Sequence, residues 1–127
     1  MSDACADVLK NLFMFMVFFC AAIIMLLAVR PSTRRGKKRM AIFSNGTVRH
    51  FGCASCKDYI YYKRTRGDAV ATAKRDAYIA RHRVRESWKD PYAPSTLSRY
   101  ILWEFEPEEA VSKYNKKFFG RRRRQNL

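Results

Sequence analysis

The sequence predicts an α+β protein: a single N-terminal transmembrane helix, then a small head with a β-hairpin or short sheet and about three helices. Three observations predict it. Residues 11–29 form an uncharged run, NLFMFMVFFCAAIIMLLAV. Residues 40–62 hold short β-branched and aromatic stretches around an Asn-Gly pair. Beyond Asp68, apolar residues recur at three- and four-residue steps. At 127 residues there is room for one small domain besides the span. The expected organisation is an N-terminal segment 1–10, a transmembrane helix 11–29, a basic linker 30–39, a compact basic head 40–119 and a basic tail 120–127.

The 19 uncharged residues would make a helix about 28 Å long, close to the hydrocarbon thickness of a bilayer. The run is apolar on every side, which favours lipid around it over a half-buried place on a globule. A cleaved signal peptide fits less well. The run exceeds a usual apolar region, the segment before it is acidic, and no small-residue cleavage site follows. A buried core helix fits less well too, because one small domain would struggle to cover all its sides. Charge sets the expected orientation. Residues 1–29 carry Asp3, Asp7 and Lys10, whereas residues 30–127 carry 25 basic and 9 acidic side chains. Arg30, Arg34, Arg35, Lys37, Lys38 and Arg39 flank the run within the window where positive charge directs insertion. The head is therefore expected on the cytosolic side, with these residues against anionic lipid head groups, each contributing about 1 kcal/mol.

Within the linker, Pro31, Ser32, Thr33 and Gly36 break any helical continuation. Asn45-Gly46 suits a type I′ turn between two short strands, Ala41-Ile42-Phe43 and Thr47-Val48-Arg49-His50-Phe51. Asp58-Tyr59-Ile60-Tyr61-Tyr62 reads as a third extended piece. Asp68 can cap a helix running to about Trp88, with Val70, Ala73, Ala77, Ala80, Val84 and Trp88 on its inward face. Pro91 and Pro94 end it, and residues 96–103 form a short apolar helix. Pro107 opens a third helix, with Glu108 and Glu109 in its first turn and Lys113, Lys116 and Lys117 near its end. Val111, Tyr114 and Phe118 point inward, and Gly120 stops it. Trp88, Leu97, Trp103 and Phe118 are the expected core.

His50, Cys53 and Cys56 make an HxxCxxC pattern. Zinc would want a fourth ligand, for which His82 is the remaining histidine, and no second paired motif supports it. No metal or cofactor is therefore expected, and on the cytosolic side no lasting disulfide either. The acidic residues are scattered, and neither histidine has an evident nucleophile partner, so an enzyme is not expected. Arg81, His82, Arg83 and Arg85, with Arg121, Arg122, Arg123 and Arg124 in the tail, are the expected interaction residues. Such bases suit either an acidic protein surface or non-specific contact with nucleic acid. No named nucleic-acid motif is present.

The segments HFGCASCKDYIYYKR and RDAYIARHRVRESWKDPYAPSTLSRYILWEF resemble a family of short basic proteins of large DNA viruses of algae and protists. The resemblance rests on Phe51-Gly52, Asp58-Tyr59, Tyr78-Ile79-Ala80-Arg81-His82, Arg85-Glu86-Ser87-Trp88 and Ser98-Arg99-Tyr100-Ile101-Leu102-Trp103, within residues 40–118. The chain departs from the family pattern at Cys53 and Cys56, and at Tyr62, where many members have histidine. The resemblance implies a virion with an icosahedral shell over an internal membrane. A minor capsid protein would tether that membrane to the shell, its head facing major or other minor capsid proteins. During assembly the head would face the cytosol from a host membrane. The alternative is a membrane-anchored nucleic-acid binder that recruits the genome.

Overall fold

Two tight hairpins build the sheet. In the computed structural model, which describes residues 24–120, β1 (Leu26–Pro31), β2 (Lys37–Phe43) and β3 (Val48–Cys53) pair antiparallel in that order. The helices α1 (Tyr59–Arg66), α2 (Asp68–His82) and α3 (Pro94–Leu97) follow. The last runs directly into a π-helical turn (Ser98–Leu102), and α4 (Ala110–Phe118) closes the chain. The α+β class stands, and several elements differ from the sequence reading.

The first difference concerns the apolar run. Its last residues, Leu26, Leu27, Ala28 and Val29, lie in β1, not in a membrane helix ending at 29. Leu26 pairs with Phe43 and Val29 with Ala41, and Leu26 is fully buried. Uncharged composition alone does not separate a chain wrapped in lipid from a strand in a core, which explains the overrun. No helix among the described residues is long and apolar enough to cross a membrane. Residues 11–23 of the expected 11–29 span lie outside them, as do the N-terminal segment and the tail arginines.

The second difference is that residues 30–39 are a hairpin, not a linker. Arg30 and Pro31 finish β1, and Lys37, Lys38 and Arg39 begin β2. The intervening residues break helix because they turn: Ser32 Oγ accepts from Arg34 N at 3.0 Å, and Lys37 N donates to Arg34 O at 3.2 Å. In the second hairpin Gly46 N donates to Phe43 O at 3.0 Å. Gly46 has φ +85° but Asn45 is not left-handed, so the turn is not type I′. Asn45 instead accepts from Thr47 N at 3.0 Å.

The third difference is that residues 59–62 are helical. Asp58 Oδ1 accepts from Tyr61 N at 3.0 Å and caps α1, and this local signal outweighs the β-preference of Tyr and Ile. Helix α2 stops at His82, and its inward residues are Ala71 and Tyr78. Val84, expected inside, is 76% exposed, and Ala73 and Ala80 are exposed as well. One tyrosine buries more area than a row of alanines, so Tyr78 sets the helix rotation. Pro107, Glu108 and Glu109 form a turn ahead of α4, whose buried residues are Ala110 and Tyr114.

Helices α3 and α4 and the π-helical turn cover one face of the sheet. The core joins Leu26, Phe43 and Phe51 to Leu97, Trp103 and Tyr114, with Phe118 packed against it. Trp88 is not in this cluster. It is half-buried at φ +54°, with its indole N–H on Glu86 Oε2 at 2.7 Å and the Arg99 guanidinium 5.4 Å from its ring.

Gly52 is where the sheet meets the π-helical turn. Its φ is +79°, and a Cβ there would lie 2.7 Å from Leu102 Cδ1 and 3.2 Å from Lys38 Cβ. Gly52→Ala is expected to cost about 1–3 kcal/mol from backbone strain alone. The check is a lower denaturation midpoint at unchanged slope.

Candidate functional site

A cleft of about 620 Å³ opens between the far end of the β2–β3 hairpin and helices α2 and α3. Three stacked rings lie along it. His82 stacks on Tyr78 at 4.1 Å, and Tyr78 stacks on Trp103 at 4.6 Å. Helical spacing aligns Tyr78 with His82 one turn on, and the π-helical turn delivers Trp103 from the other side.

The rim is cationic. Lys37, Lys57, Lys74 and Arg81 line the cleft and are exposed, and none has a carboxylate in ion-pair range among the described residues. The two acids in the cleft are already paired with cleft residues. Asp58 binds Lys38 Nζ at 3.0 Å while it caps α1. Glu86 meets His82 Nδ1 at 2.9 Å and receives the Trp88 indole. The cleft therefore offers positive charge over an aromatic floor, which suits an anionic ligand with an apolar or planar part.

Burial pushes the Tyr78 hydroxyl up from its ordinary value to about 12, with the Glu86 charge adding to the effect. Its folded value exceeds its unfolded one, so the stabilisation is full below about pH 10 and is lost as pH rises towards 12. An alkaline titration of stability is expected to stay flat to about pH 10 and then fall, with the fall reduced in Tyr78→Phe.

Of the expected interaction residues, Arg81 and His82 line the cleft, whereas Arg83 and Arg85 are exposed in the turn beyond α2. The membrane-flanking set is dispersed. Lys37 and Lys38 reach the cleft, Arg34 and Arg35 sit in the first hairpin turn, and Arg30 and Arg39 lie on paired strands. The candidate metal ligands are not brought together, and no group of metal-binding side chains occurs among the described residues. His50 Nδ1 is 2.7 Å from Ser32 Oγ, and Cys53 and Cys56 are joined in a disulfide. The disulfide overturns the expectation of free thiols; both cysteines are exposed and border the cleft.

Three features escaped the sequence reading. Lys57 and Lys74 join the rim only because α1 folds back against α2. Glu104 accepts from Arg99 at 2.9 Å and lies 3.8 Å from Arg75, which ties α2 to the residues after the π-helical turn. Finally, strand register sets Ala28, Ile42 and Val48 in one row across the sheet, with Arg30, Met40 and His50 in the next. Met40, Ile42 and Val48 are outside the core cluster, and Val48 is 40% exposed. Ile24, Met25 and Leu27 are further exposed apolar residues, where the chain enters the head. Comparison with family models, with curated proteins and with solved structures finds no match to this chain.

Proposed function

We propose that this chain is a membrane-anchored structural protein whose basic head docks on an acidic protein surface: a minor capsid protein tethering an internal viral membrane to its shell. One observation carries the reading. The apolar run does not end before the head; its last residues are a strand of the head's own sheet, and Leu26 is buried in the core. With residues 26–31 in the sheet, 15 uncharged residues (11–25) precede β1, about 22 Å as a helix and shorter than the hydrocarbon thickness. The anchor we propose is this shorter apolar segment, joined to the core without a slack linker. The apolar row Ala28, Ile42, Val48 and the exposed Ile24, Met25 and Leu27 suit a head resting against lipid. The motif resemblance supplies the virion setting, and the head's excess of positive charge supplies the attraction to an acidic lattice.

The stacked rings beside unpaired cations favour a second reading, a membrane-anchored nucleic-acid binder, because bases stack on such rings between phosphate-binding cations. Crosslinking in intact virions separates the two. Crosslinks from α2 to shell proteins support the tether; crosslinks mainly to DNA support the second reading, with affinity falling steeply as salt rises. Anchoring has its own test. Phe18→Arg is expected to cost about 2.5–3.5 kcal/mol of insertion, so the variant should leave the membrane fraction on carbonate washing. Full retention of Phe18→Arg would refute the span.

A further inference from the structure

The Cys53–Cys56 disulfide closes a turn that other bonds already hold. Cys56 N donates to Cys53 O at 3.2 Å, Ala54 N donates to Gly36 O at 3.1 Å, and Lys38 Nζ donates to Cys56 O. A bridge across a sequence separation of 3 removes little freedom from the unfolded chain, so the bond has little stabilising work to do. Both cysteines are exposed, at the end of β3 and just ahead of the Asp58 cap of α1. They border the cationic cleft.

We propose that Cys53–Cys56 is a thiol–disulfide exchange site acting on a cysteine pair of an acidic protein segment held in the cleft. This goes beyond the tether reading and does not depend on membrane anchoring. The two sulfurs are not equivalent: Ser55 Oγ lies 3.4 Å from Cys53 Sγ, so its hydroxyl can donate to a thiolate at Cys53. The sulfur better stabilised as an anion is the better leaving group. The partner's thiolate therefore attacks Cys56 Sγ. The Cys53–Cys56 bond breaks, and Cys53 departs as the thiolate that Ser55 stabilises. The product is a mixed disulfide between the partner and Cys56. The partner's second thiolate then attacks its own bridged sulfur and releases Cys56 as a thiolate. The partner has lost two electrons and two protons and gained a disulfide. Cys53 and Cys56 have gained the electrons and take up the protons as thiols. Lys57, next to Cys56, and the cleft cations Lys37 and Lys74 favour the approach of an anionic thiolate.

The test uses the full chain in its disulfide form, with reduced glutathione as the probe. After acid quench and alkylation, peptide mapping locates the adduct. The expected result is a mixed disulfide on Cys56, formed roughly tenfold faster than glutathione exchanges with its own linear disulfide. Ser55→Ala is expected to slow the reaction and spread the adduct over both cysteines. Cys53→Ser is loaded at Cys56 by exchange with oxidised glutathione, which releases one reduced glutathione. It is expected to retain the adduct, because no Cys53 thiolate remains to expel it. The double variant Cys53→Ser, Cys56→Ser is expected to melt with the parent. Exchange no faster than the linear disulfide, or an adduct without preference for Cys56, would overturn the proposal. So would a double variant that melts far below the parent or does not fold, since the bond would then be a structural staple.

Discussion

Trp103→Ala should destabilise the head by about 3–5 kcal/mol, the cost of truncating a buried aromatic. Trp103 is 9% exposed. Its ring stacks on Tyr78 at 4.6 Å and lies 6.4 Å from Tyr62, so it joins α1, α2 and the π-helical turn. Removing it leaves a cavity that three short elements cannot close without parting. Against the 5–15 kcal/mol typical of a whole domain, a loss of this size is severe. Val84→Ala is the matched control, because helical periodicity assigns both residues to one core. At 76% exposure Val84 contributes little to folding, and its truncation should fall within about 0.5 kcal/mol. Chemical denaturation followed by circular dichroism decides the matter. Similar costs for the two substitutions would mean that the helix continues past His82 and turns Val84 into the core, unlike the turn described. An unchanged midpoint for Trp103→Ala would sink the stacked floor of the cleft altogether.

The signals that read correctly were short-range and polar. Asn45-Gly46 marked a hairpin and Gly120 the end of a helix, because turns and stops are settled by a few neighbouring residues. Asp68 lies at the start of α2 as expected but as its first residue, the cap position being Gly67 with no side-chain cap bond. Most of the readings that failed needed knowledge of what lies across the fold; the Asp58 cap of α1 is the local exception. The apolar run continued to residue 29 by composition, yet β1 exists because Phe43 and Ala41 stand ready to pair with Leu26 and Val29. Tyr59-Ile60-Tyr61-Tyr62 has strand-like composition, yet the Asp58 cap makes it helical, and Lys38 from β2 also holds that carboxylate. The face of α2 turned on which side found an aromatic partner, and Tyr78 found Trp103.

The cleft was legible only in part for the same reason. Arg81 and His82 stood out as a local charge cluster. Lys37, Lys57 and Lys74 come from three other elements, and only the tertiary fold gathers them. The cysteine pair was visible as a spacing, but the choice between metal and disulfide depends on a third and fourth ligand. His50 is engaged with Ser32 and His82 with Glu86, which leaves the sulfurs to each other.

Asn115→Ala should cost about 2–5 kcal/mol, because it orphans two backbone groups at once. Leu26 N donates to Asn115 Oδ1 at 2.7 Å, and Asn115 Nδ2 donates to Leu26 O at 2.8 Å. One side chain in α4 thus binds the N–H and C=O of the same residue, 89 positions away in sequence, as a neighbouring strand would. It does so at the outer edge of the sheet, next to a bulge between Leu26 and Ala28, where no fourth strand is present among the described residues. Asn115→Asp keeps the acceptor for Leu26 N and loses the donor to Leu26 O, so it should cost about half as much. Amide exchange at Leu26 localises the effect: its protection should collapse in Asn115→Ala while that of Ala41 and Phe51 persists. A change below about 0.5 kcal/mol would show that water replaces the amide without penalty. The position of this clamp matters for a tether. In the tether proposed above, tension would reach the head at Leu26, where the first strand is held by β2 on one side and by Asn115 on the other. Loss of the Asn115 contacts should therefore let β1 peel from its exposed edge under load while the rest of the core stays folded.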